Sequence, residues 1–312
     1  MRAVIANGFG GPEVLEVVET AVPEPGPGQV RVRVRAAALN PVDAAVRAGV
    51  FGGGGERIGF GWDVAGEIDA LGPGVGAGDV VADGGAGAAR WAVGDRVVGL
   101  HYGAVKALGT HAEFVVLDVG ALAAAPVTVD DAHAAVLPLS GLTAARSLAQ
   151  SGLRAGDSVL ITGAAGVVGG LAVQLAARAG LVVTALAGEA DEELVRSLGA
   201  ARFVPRGGAV EPGSVDGVLD FAVLGEPALE WVRDGGAYVG VHPGAEPAPV
   251  RGVRVGAQEV AADGAHLAQL VALVDAGGLT LRVGSVHALA DAAEAHAVQG
   301  KGGVRGRVVL VA

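Results

Sequence analysis

The sequence predicts an α/β protein in which a β-rich, barrel-like domain accompanies a doubly wound domain built on a parallel sheet. Three observations predict this class. Short apolar runs separated by glycine and proline turns fill residues 1–118. From about Val119 onward, strand-like and helix-like segments alternate, which is the pattern of parallel α/β sheets. A glycine-spaced turn at residues 163–169 joins one of these strands to a helix.

The first domain is predicted at residues 1–118 and 258–312. Apolar periodicity indicates strands at residues 30–35, 64–71, 96–98, 112–117, 281–287 and 307–311, and a helix at residues 264–275. The arginines at positions 31, 33 and 35 alternate with valines, so we expect them on the solvated face of one strand. Residues 72–89 are nearly all Gly, Ala, Val and Asp without periodicity, which predicts an exposed surface loop.

The second domain is predicted at residues 119–257. Its helices are expected at residues 130–137, 140–151, 167–179 and 191–198, and its strands at residues 159–162, 181–186, 202–204, 215–222 and 237–241. Ligands of such sheets bind beyond the carboxyl ends of the strands. The ligand-binding edge should therefore carry residues 162–163, 187–189, 222–224 and 241–243.

Composition excludes several classes of function. The 312 residues are enough for two domains, and the net charge of −11 without a basic cluster disfavours nucleic-acid binding. The absence of cysteine excludes disulfides, thiolate nucleophiles and thiolate zinc sites. No signal peptide and no apolar run of roughly 18–20 residues is visible, so the sequence predicts a cytoplasmic protein without a membrane partner.

The glycine turn is the strongest single motif. Gly163, Gly166 and Gly169 follow the apolar run at residues 158–162 and open a helical pattern. Glycines let backbone N–H groups approach a pyrophosphate, and a helix N-terminus carries partial positive charge that favours an anion. An ordinary glycine-rich turn is the alternative. The candidate cofactor-binding residues of this turn are Gly163, Ala165, Gly166, Val167, Val168 and Gly169.

Eight segments of the sequence, the glycine turn among them, occur in one order along nearly the whole chain. They stand at residues 38–43 (ALNPVD), 61–67 (GWDVAGE), 93–97 (VGDRV), 109–114 (GTHAEF), 137–144 (LPLSGLTA), 163–169 (GAAGVVG), 195–200 (VRSLGA) and 302–310 (GGVRGRVVL). Together they resemble the zinc-independent quinone oxidoreductase and enone (alkenal) oxidoreductase branch of the medium-chain dehydrogenase/reductase superfamily.

The resemblance implies a GroES-like barrel for the split first domain and a Rossmann fold for the second. It also implies a homodimer and hydride transfer from a nicotinamide cofactor to a quinone or to the C=C bond of an α,β-unsaturated carbonyl. Zinc-dependent relatives place a cysteine near Pro41 and a His-Glu pair near Trp62 and Asp63. Neither is present, so we expect no metal site and no simple alcohol oxidation.

The resemblance also implies two catalytic candidates. The amide of Asn40 would contact the substrate carbonyl or the cofactor, although Asn before Pro is also a common turn start. Tyr102, in a loop with His101 and Lys106, is the candidate proton donor, with a solvent-exposed loop as the alternative. Asp43 is expected to be structural and to pair with Arg47 one helical turn later.

The remaining cofactor contacts implied by the resemblance are Thr143, Phe221, Ala222, Val241 and His242. Backbone groups of the last four would hold the nicotinamide carboxamide. His242 could equally be an ordinary surface histidine, and Thr143 an ordinary helix cap or core hydroxyl.

The choice of dinucleotide depends on residues near the end of the second strand. NAD-binding sites place an acid there, and NADP-binding sites place a cation or a hydroxyl. Relatives have an arginine where Ala190 falls and a serine near Gly188, and both are missing. Glu189 stands twenty residues after Gly169, as an NAD-type acid would. We predict contacts from Gly188 and Glu189 and NADPH as the cofactor, with NAD possible.

Two alternatives remain open at this stage. One is an enoyl-thioester reductase or a tailoring reductase in a biosynthetic pathway, which sequence does not distinguish from a quinone or enone reductase. The other is a non-catalytic nucleotide-binding protein.

Overall fold

The computed structural model describes residues 1–52, 57–76 and 91–312. These divide into two compact units. The first contains Met1–Leu139, Ala261–Asp275 and Leu281–Ala312, and the second contains Ser140–Val260 and Ala276–Thr280.

The first unit is mainly β-structure. Its strands are β1 (Arg2–Ala6), β2 (Glu16–Glu19), β3 (Gln29–Ala38), β4 (Ile58–Gly59), β5 (Asp63–Leu71), β6 (Arg96–Leu100), β7 (Phe114–Asp118), β8 (Leu122–Ala124), β15 (Val283–Ala288) and β16 (Arg307–Val311). Its helices are α1 (Pro41–Arg47), α2 (Asp131–Ala134), α7 (Gly264–Asp275) and α8 (Ala292–Lys301). One sheet has the order β2-β1-β4, and a larger one has the order β15-β16-β3-β5-β6-β8, with β7 also pairing with β3.

The second unit is a parallel α/β unit. Its strands are β9 (Ser158–Thr162), β10 (Val182–Ala187), β11 (Arg202–Pro205), β12 (Val215–Asp220), β13 (Val232–Gly240) and β14 (Arg254–Ala257). Its helices are α4 (Val167–Arg178), α5 (Glu192–Ser197) and α6 (Glu226–Glu230), and most of α3 (Leu137–Ser151) also belongs to it. The strand order is β11-β10-β9-β12-β13-β14 with every pair parallel.

Counted within the second unit, that order is 3-2-1-4-5-6, the order of a dinucleotide-binding Rossmann sheet. Strand β9 lies in the middle of the sheet, and the order in which the strands are added along the sheet reverses next to it, with β10 and β11 on one side and β12, β13 and β14 on the other. The carboxyl ends of β9, β10 and β12 therefore share one edge, where such sheets bind their ligands.

Strand β3 shows how its sequence pattern builds the core of the first unit. Val30, Val32 and Val34 are buried, and they pack in one apolar cluster with residues of β5, β6 and β7. The alternate arginines form the opposite face, as expected from the two-residue period of a strand. There Arg31 and Arg33 share the carboxylate of Asp69, at 2.7 and 3.0 Å.

The division into units differs from the predicted boundary at residue 118. Residues 119–139 lie in the first unit because β8 extends the large sheet by pairing with β6. The predicted helix at 130–137 is also shorter, since α2 ends at Ala134 and α3 begins at Leu137. Most of the loop predicted at residues 72–89 lies outside the described residues.

In the part of the chain that the structure describes, no helix is both long enough and apolar enough to span a membrane.

Candidate functional site

The three glycines of the turn after β9 have three different structural roles. Gly163 has a φ of +60°, a left-handed conformation that favours glycine. A Cβ atom at Gly169 would overlap the carbonyl oxygen of Gly163, so only glycine lets helix α4 approach the turn this closely. A Cβ atom at Gly166 would meet only that same oxygen, at 3.0 Å, and otherwise faces open space.

Helix α4 begins immediately after this turn. Gly166 is its N-cap residue, and Val167 and Val168 form its first turn, whose N–H groups have no acceptor within the helix. A twelve-residue helix that points its N-terminus at the carboxyl end of β9 suits a bound phosphate. The predicted residues Gly163, Ala165, Gly166, Val167, Val168 and Gly169 all lie at this position, so they fit a dinucleotide pyrophosphate.

The loop after β12 is held by a buried carboxylate. Asp220 accepts hydrogen bonds from Thr162 Oγ1 at 2.6 Å, from Tyr238 OH at 2.7 Å and from the backbone N of Gly225 at 2.9 Å. The backbone N of Ala222 donates to Thr162 Oγ1 at 2.9 Å. The predicted cofactor residues Phe221 and Ala222 are therefore fixed at the carboxyl ends of β9 and β12.

The other predicted cofactor residues lie after β10, after β13 and within α3, and they differ in exposure. Gly188 and Glu189 follow directly after β10, and Glu189 is exposed. Val241 and His242 follow β13 at the same edge of the sheet, and His242 is exposed. Thr143 is the seventh residue of α3 and is nearly buried, with 8% of its surface exposed.

In the first unit, Asn40 lies where β3 gives way to α1, and it is fully buried. Its Nδ2 donates to Asp63 Oδ2 at 2.7 Å and points at the carbonyl oxygen of Ala38 at 3.4 Å. The carboxylate fixes this orientation of the amide, because the reverse orientation would place two acceptor oxygens face to face. Asn40 Oδ1 is then a buried acceptor with no hydrogen-bond partner among the described residues.

Asp63 was not predicted as a site residue. Its carboxylate also accepts a hydrogen bond from the backbone N of Leu139 at 2.6 Å. Burial raises the pKa of Asp63 to about 7, although the hydrogen bonds from Asn40 and Leu139 and the charge of Arg307 act in the opposite direction. The sequence signal was its position in the GWDVAGE segment, where zinc-dependent relatives have their His-Glu pair.

The expected ion pair between Asp43 and Arg47 does not form. Asp43 instead accepts hydrogen bonds from the backbone N of Asn40 and of Gly61, both at 2.8 Å. Arg47 donates to the carbonyl oxygen of Gly10 and lies 3.0 Å from His296 Nδ1. The prediction failed because two backbone donors take the carboxylate instead, one at the N-cap of α1 and one in the segment before β5.

The predicted donor Tyr102 is exposed and packs edge-on against Trp62, with 5.7 Å between ring centroids. Lys106 lies over the Trp62 ring, with its Nζ 4.5 Å from the ring centroid, and it donates to the carbonyl oxygen of His101 at 2.7 Å. Burial lowers the pKa of Lys106 to about 8, while Asp43 and Asp63 act in the opposite direction.

Residues suited to hold a zinc ion are not grouped in residues 1–52, 57–76 and 91–312. No three His, Asp or Glu side chains there lie close enough to share a metal ion, and the sequence contains no cysteine. Within these ranges the ligand sets of structural or catalytic zinc sites are therefore not present.

Comparison with protein families gives two matches. Residues 26–127 match the alcohol dehydrogenase GroES-like domain, and residues 189–310 match the zinc-binding dehydrogenase family. The word zinc in the second name describes the family; in the residues that the structure describes, no three His, Asp or Glu side chains group into a metal site.

Two curated relatives from plants are similar over most of the chain. A chloroplastic quinone-oxidoreductase homolog of Spinacia oleracea is 33% identical over 248 residues, which cover 74% of this chain and 70% of the relative. A chloroplastic NADPH-dependent alkenal/one oxidoreductase of Arabidopsis thaliana is also 33% identical, over 77% of this chain and 62% of the relative. The chain thus spans about two thirds of the length of these relatives.

Two solved structures align along the whole chain. An NAD-dependent alcohol dehydrogenase is 32% identical with a TM-score of 0.85, and the alignment covers 100% of both chains. A mycobacterial protein in complex with NADPH is 26% identical with a TM-score of 0.80, again over 100% of both chains. With its glycine turn, its 3-2-1-4-5-6 sheet and these relatives, the chain belongs to the medium-chain dehydrogenase/reductase superfamily, in the branch of the quinone and alkenal/enone oxidoreductases.

Proposed function

We propose that this chain is an NADPH-dependent reductase that transfers hydride to a quinone or to the C=C bond of an α,β-unsaturated carbonyl compound. The observation that carries this proposal is the glycine turn between β9 and α4, at the carboxyl edge of the 3-2-1-4-5-6 sheet. The similarity to an NADPH-dependent alkenal/one oxidoreductase supports the choice of cofactor and acceptor.

The second unit supplies the cofactor-binding residues. The turn at residues 163–169 would hold the pyrophosphate through backbone N–H groups at the start of α4. Phe221 and Ala222, fixed by Asp220 and Thr162, would hold the nicotinamide carboxamide through their backbone groups. The bound nicotinamide supplies the hydride.

In the first unit, Asn40 is set to accept a hydrogen bond rather than to donate one. The amide nitrogen Nδ2 faces the acceptors of Asp63 and Ala38, while the amide oxygen Oδ1 has no hydrogen-bond partner among the described residues. A donor on the cofactor, such as the carboxamide or a ribose hydroxyl, would satisfy it. A substrate carbonyl would not, so of the two expected contacts of Asn40 the geometry favours the cofactor.

Hydride addition to an enone or quinone leaves negative charge on oxygen, which then needs a proton. The loop that holds Tyr102 and Lys106 is the proposed source. Lys106 is the better matched donor, because a pKa of about 8 keeps its ammonium protonated at neutral pH while making the proton transferable. Tyr102 stays the predicted alternative.

We derive no step through a metal ion, because the described side chains do not group into a zinc site. Enones and quinones are electron-poor acceptors, so hydride transfer to them does not require a Lewis acid. Simple alcohols would require one, and we expect them to be inert.

The direct test is oxidation of NADPH and NADH by the purified chain against a panel of acceptors. The panel is 9,10-phenanthrenequinone, 1,4-benzoquinone, methyl vinyl ketone, crotonaldehyde and an enoyl thioester, with a secondary alcohol and NADP⁺ as the control. Turnover of a quinone or enone supports the proposal. Preference for the thioester would indicate an enoyl-thioester reductase, and nucleotide binding without turnover would indicate a non-catalytic protein.

The expected homodimer is a separate proposal with its own test. Light scattering coupled to size-exclusion chromatography should give twice the chain mass of 30.4 kDa, and a single chain mass would contradict it.

A further inference from the structure

The proposed binding of NADPH, on which this inference rests, requires a partner for the 2′-phosphate near the end of strand β10. In Rossmann sheets the residues after the second strand contact the adenosine ribose, and a cation there accommodates its 2′-phosphate. The second strand of this sheet is β10, and Gly188, Glu189, Ala190 and Asp191 follow it. None of these is a cation, and Glu189 is an exposed acid.

The next strand brings an arginine to this position. β11 is the parallel neighbour of β10, with Pro205 opposite Ala187. Arg206 is the first residue after β11, and its backbone N donates to the carbonyl oxygen of Ala187 at 2.7 Å. Its Cα therefore lies beside the last residue of β10, at the edge of the sheet where Gly188 begins.

The local turn keeps Arg206 at this edge. Gly207 has a φ of +84°, and the backbone N of Gly208 donates to the carbonyl oxygen of Pro205 at 2.8 Å. The chain thus turns away directly after Arg206 instead of extending the strand. The arginine side chain starts from a fixed point on the sheet and not from a long loop.

The guanidinium of Arg206 is available for a ligand. The residue is exposed, and its side chain forms no hydrogen bond or ion pair with any residue that the structure describes. Two other arginines of the second unit are paired with acids, Arg196 with Glu192 at 2.8 Å and Arg251 with Asp234 at 3.1 Å. A guanidinium is the side chain best suited to bind a phosphate through two parallel hydrogen bonds.

We propose that Arg206 binds the 2′-phosphate of NADPH, since the residues directly after β10 offer no cation for it. Glu189 on the neighbouring strand end opposes this phosphate and suits the free ribose hydroxyls of NADH. The two side chains together make a site that accepts both dinucleotides, with Arg206 setting the preference for NADPH.

Calorimetric titration of the full chain with 2′,5′-ADP and with 5′-AMP tests this without any acceptor substrate. Arg206→Gln should weaken 2′,5′-ADP and NADPH binding by about ten- to hundredfold, the loss expected for a charge-assisted contact. Binding of 5′-AMP and NADH should change less than about twofold, since neither nucleotide carries a 2′-phosphate. Arg206→Lys should recover part of the lost affinity.

Arg202 offers a matched control. It is the first residue of the same strand, it is exposed, and it lies at the opposite edge of the sheet. Arg202→Gln removes the same charge and should leave the ratio of the two affinities unchanged. Glu189→Gln should strengthen 2′,5′-ADP binding, because it removes a negative charge next to the phosphate.

The inference fails if wild-type protein binds 2′,5′-ADP no tighter than 5′-AMP. It also fails if Arg206→Gln weakens both ligands equally, or if Arg202→Gln has the same effect. Failure of the proposed reductase function would look different, because NADPH would bind with the expected dependence on Arg206 while no acceptor is reduced.

Discussion

Asp63 is the residue whose chemistry depends most on its surroundings. It is fully buried, it accepts hydrogen bonds from Asn40 and from the backbone of Leu139, and its pKa is raised to about 7. Asp63 and its two partners stand in three distant segments of the sequence, so no motif spacing predicts that they meet. The sequence identified Asn40 as a candidate, and only the structure shows that Asp63 decides which atom of Asn40 is left to accept.

The raised pKa of Asp63 predicts a pH dependence of stability. An acid whose pKa is higher in the folded than in the unfolded state contributes stability at pH below its unfolded pKa of about 3.9. That contribution is lost as the pH rises through about 7. Because Asp63→Asn cannot ionise, the free energy of unfolding of the variant should improve relative to wild type between pH 4.5 and pH 7.5. Urea unfolding at both pH values measures it.

Two other charged groups also influence the pKa of Asp63. Asp43 raises and Arg307 lowers the pKa of Asp63. Both are unchanged in the variant, so the comparison isolates the ionisation of Asp63. A difference between variant and wild type that stays constant across this pH range would contradict the raised pKa.

The proton source can be assigned by two single substitutions. If Lys106 is the donor, wild-type kcat should fall above about pH 8, where its ammonium loses the proton. Lys106→Met should then lower kcat by about a hundredfold or more, a usual loss for a general acid, and abolish that alkaline limb. Tyr102→Phe should leave both kcat and the fall of kcat above about pH 8 unchanged. The reverse pattern would assign the proton to Tyr102.

At the scale of single elements, the sequence located the functional turn and several flanking segments well. Helix α7 and strand β16 have the bounds expected from periodicity, because both are continuous apolar patterns with clear ends. Strand β14 and helices α6 and α8 were missed. Strand β14 and helix α6 are too short for a periodic apolar pattern, and α8 is rich in alanine and contains few large apolar residues that would mark a buried face.

The glycine turn gives a prediction that separates folding from binding. Gly169→Ala should destabilise the protein by about 1–3 kcal/mol, because its Cβ would overlap the carbonyl oxygen of Gly163. Gly166→Ala should cost much less stability, since its Cβ meets one oxygen at 3.0 Å, but it should weaken NADPH binding. Thermal unfolding and fluorescence titration with NADPH measure the two effects. Equal stability losses would refute the separate roles.

The loop after β12 gives a second prediction at this scale. Tyr238→Phe removes one of three donors to the buried Asp220 carboxylate and should cost about 1–3 kcal/mol. The same loop carries Phe221 and Ala222, so the KM for NADPH should rise while kcat with saturating NADPH changes little. A loss of stability with an unchanged KM would show that the network supports the fold alone.

At the scale of the whole molecule, the sequence predicted two domains of the observed classes because their signals are long-range and repeated. Alternating strands and helices specified the parallel sheet, and the ordered family motifs specified its β-rich companion. Arg206 could not be found in this way. Its position beside Ala187 depends on the pairing of β10 with β11. No sequence motif fixes how many residues separate this arginine from the glycine turn.

The central claim is that hydride passes from NADPH to a polarised acceptor without a metal ion. The most direct measurement uses NADPH deuterated at the transferred position, protein dialysed against a chelator, and methyl vinyl ketone as acceptor. The account predicts undiminished turnover and one deuterium on the β carbon of the product, detected by mass spectrometry and NMR. Turnover that disappears on chelation and returns with zinc, or a product without deuterium at that carbon, would contradict it.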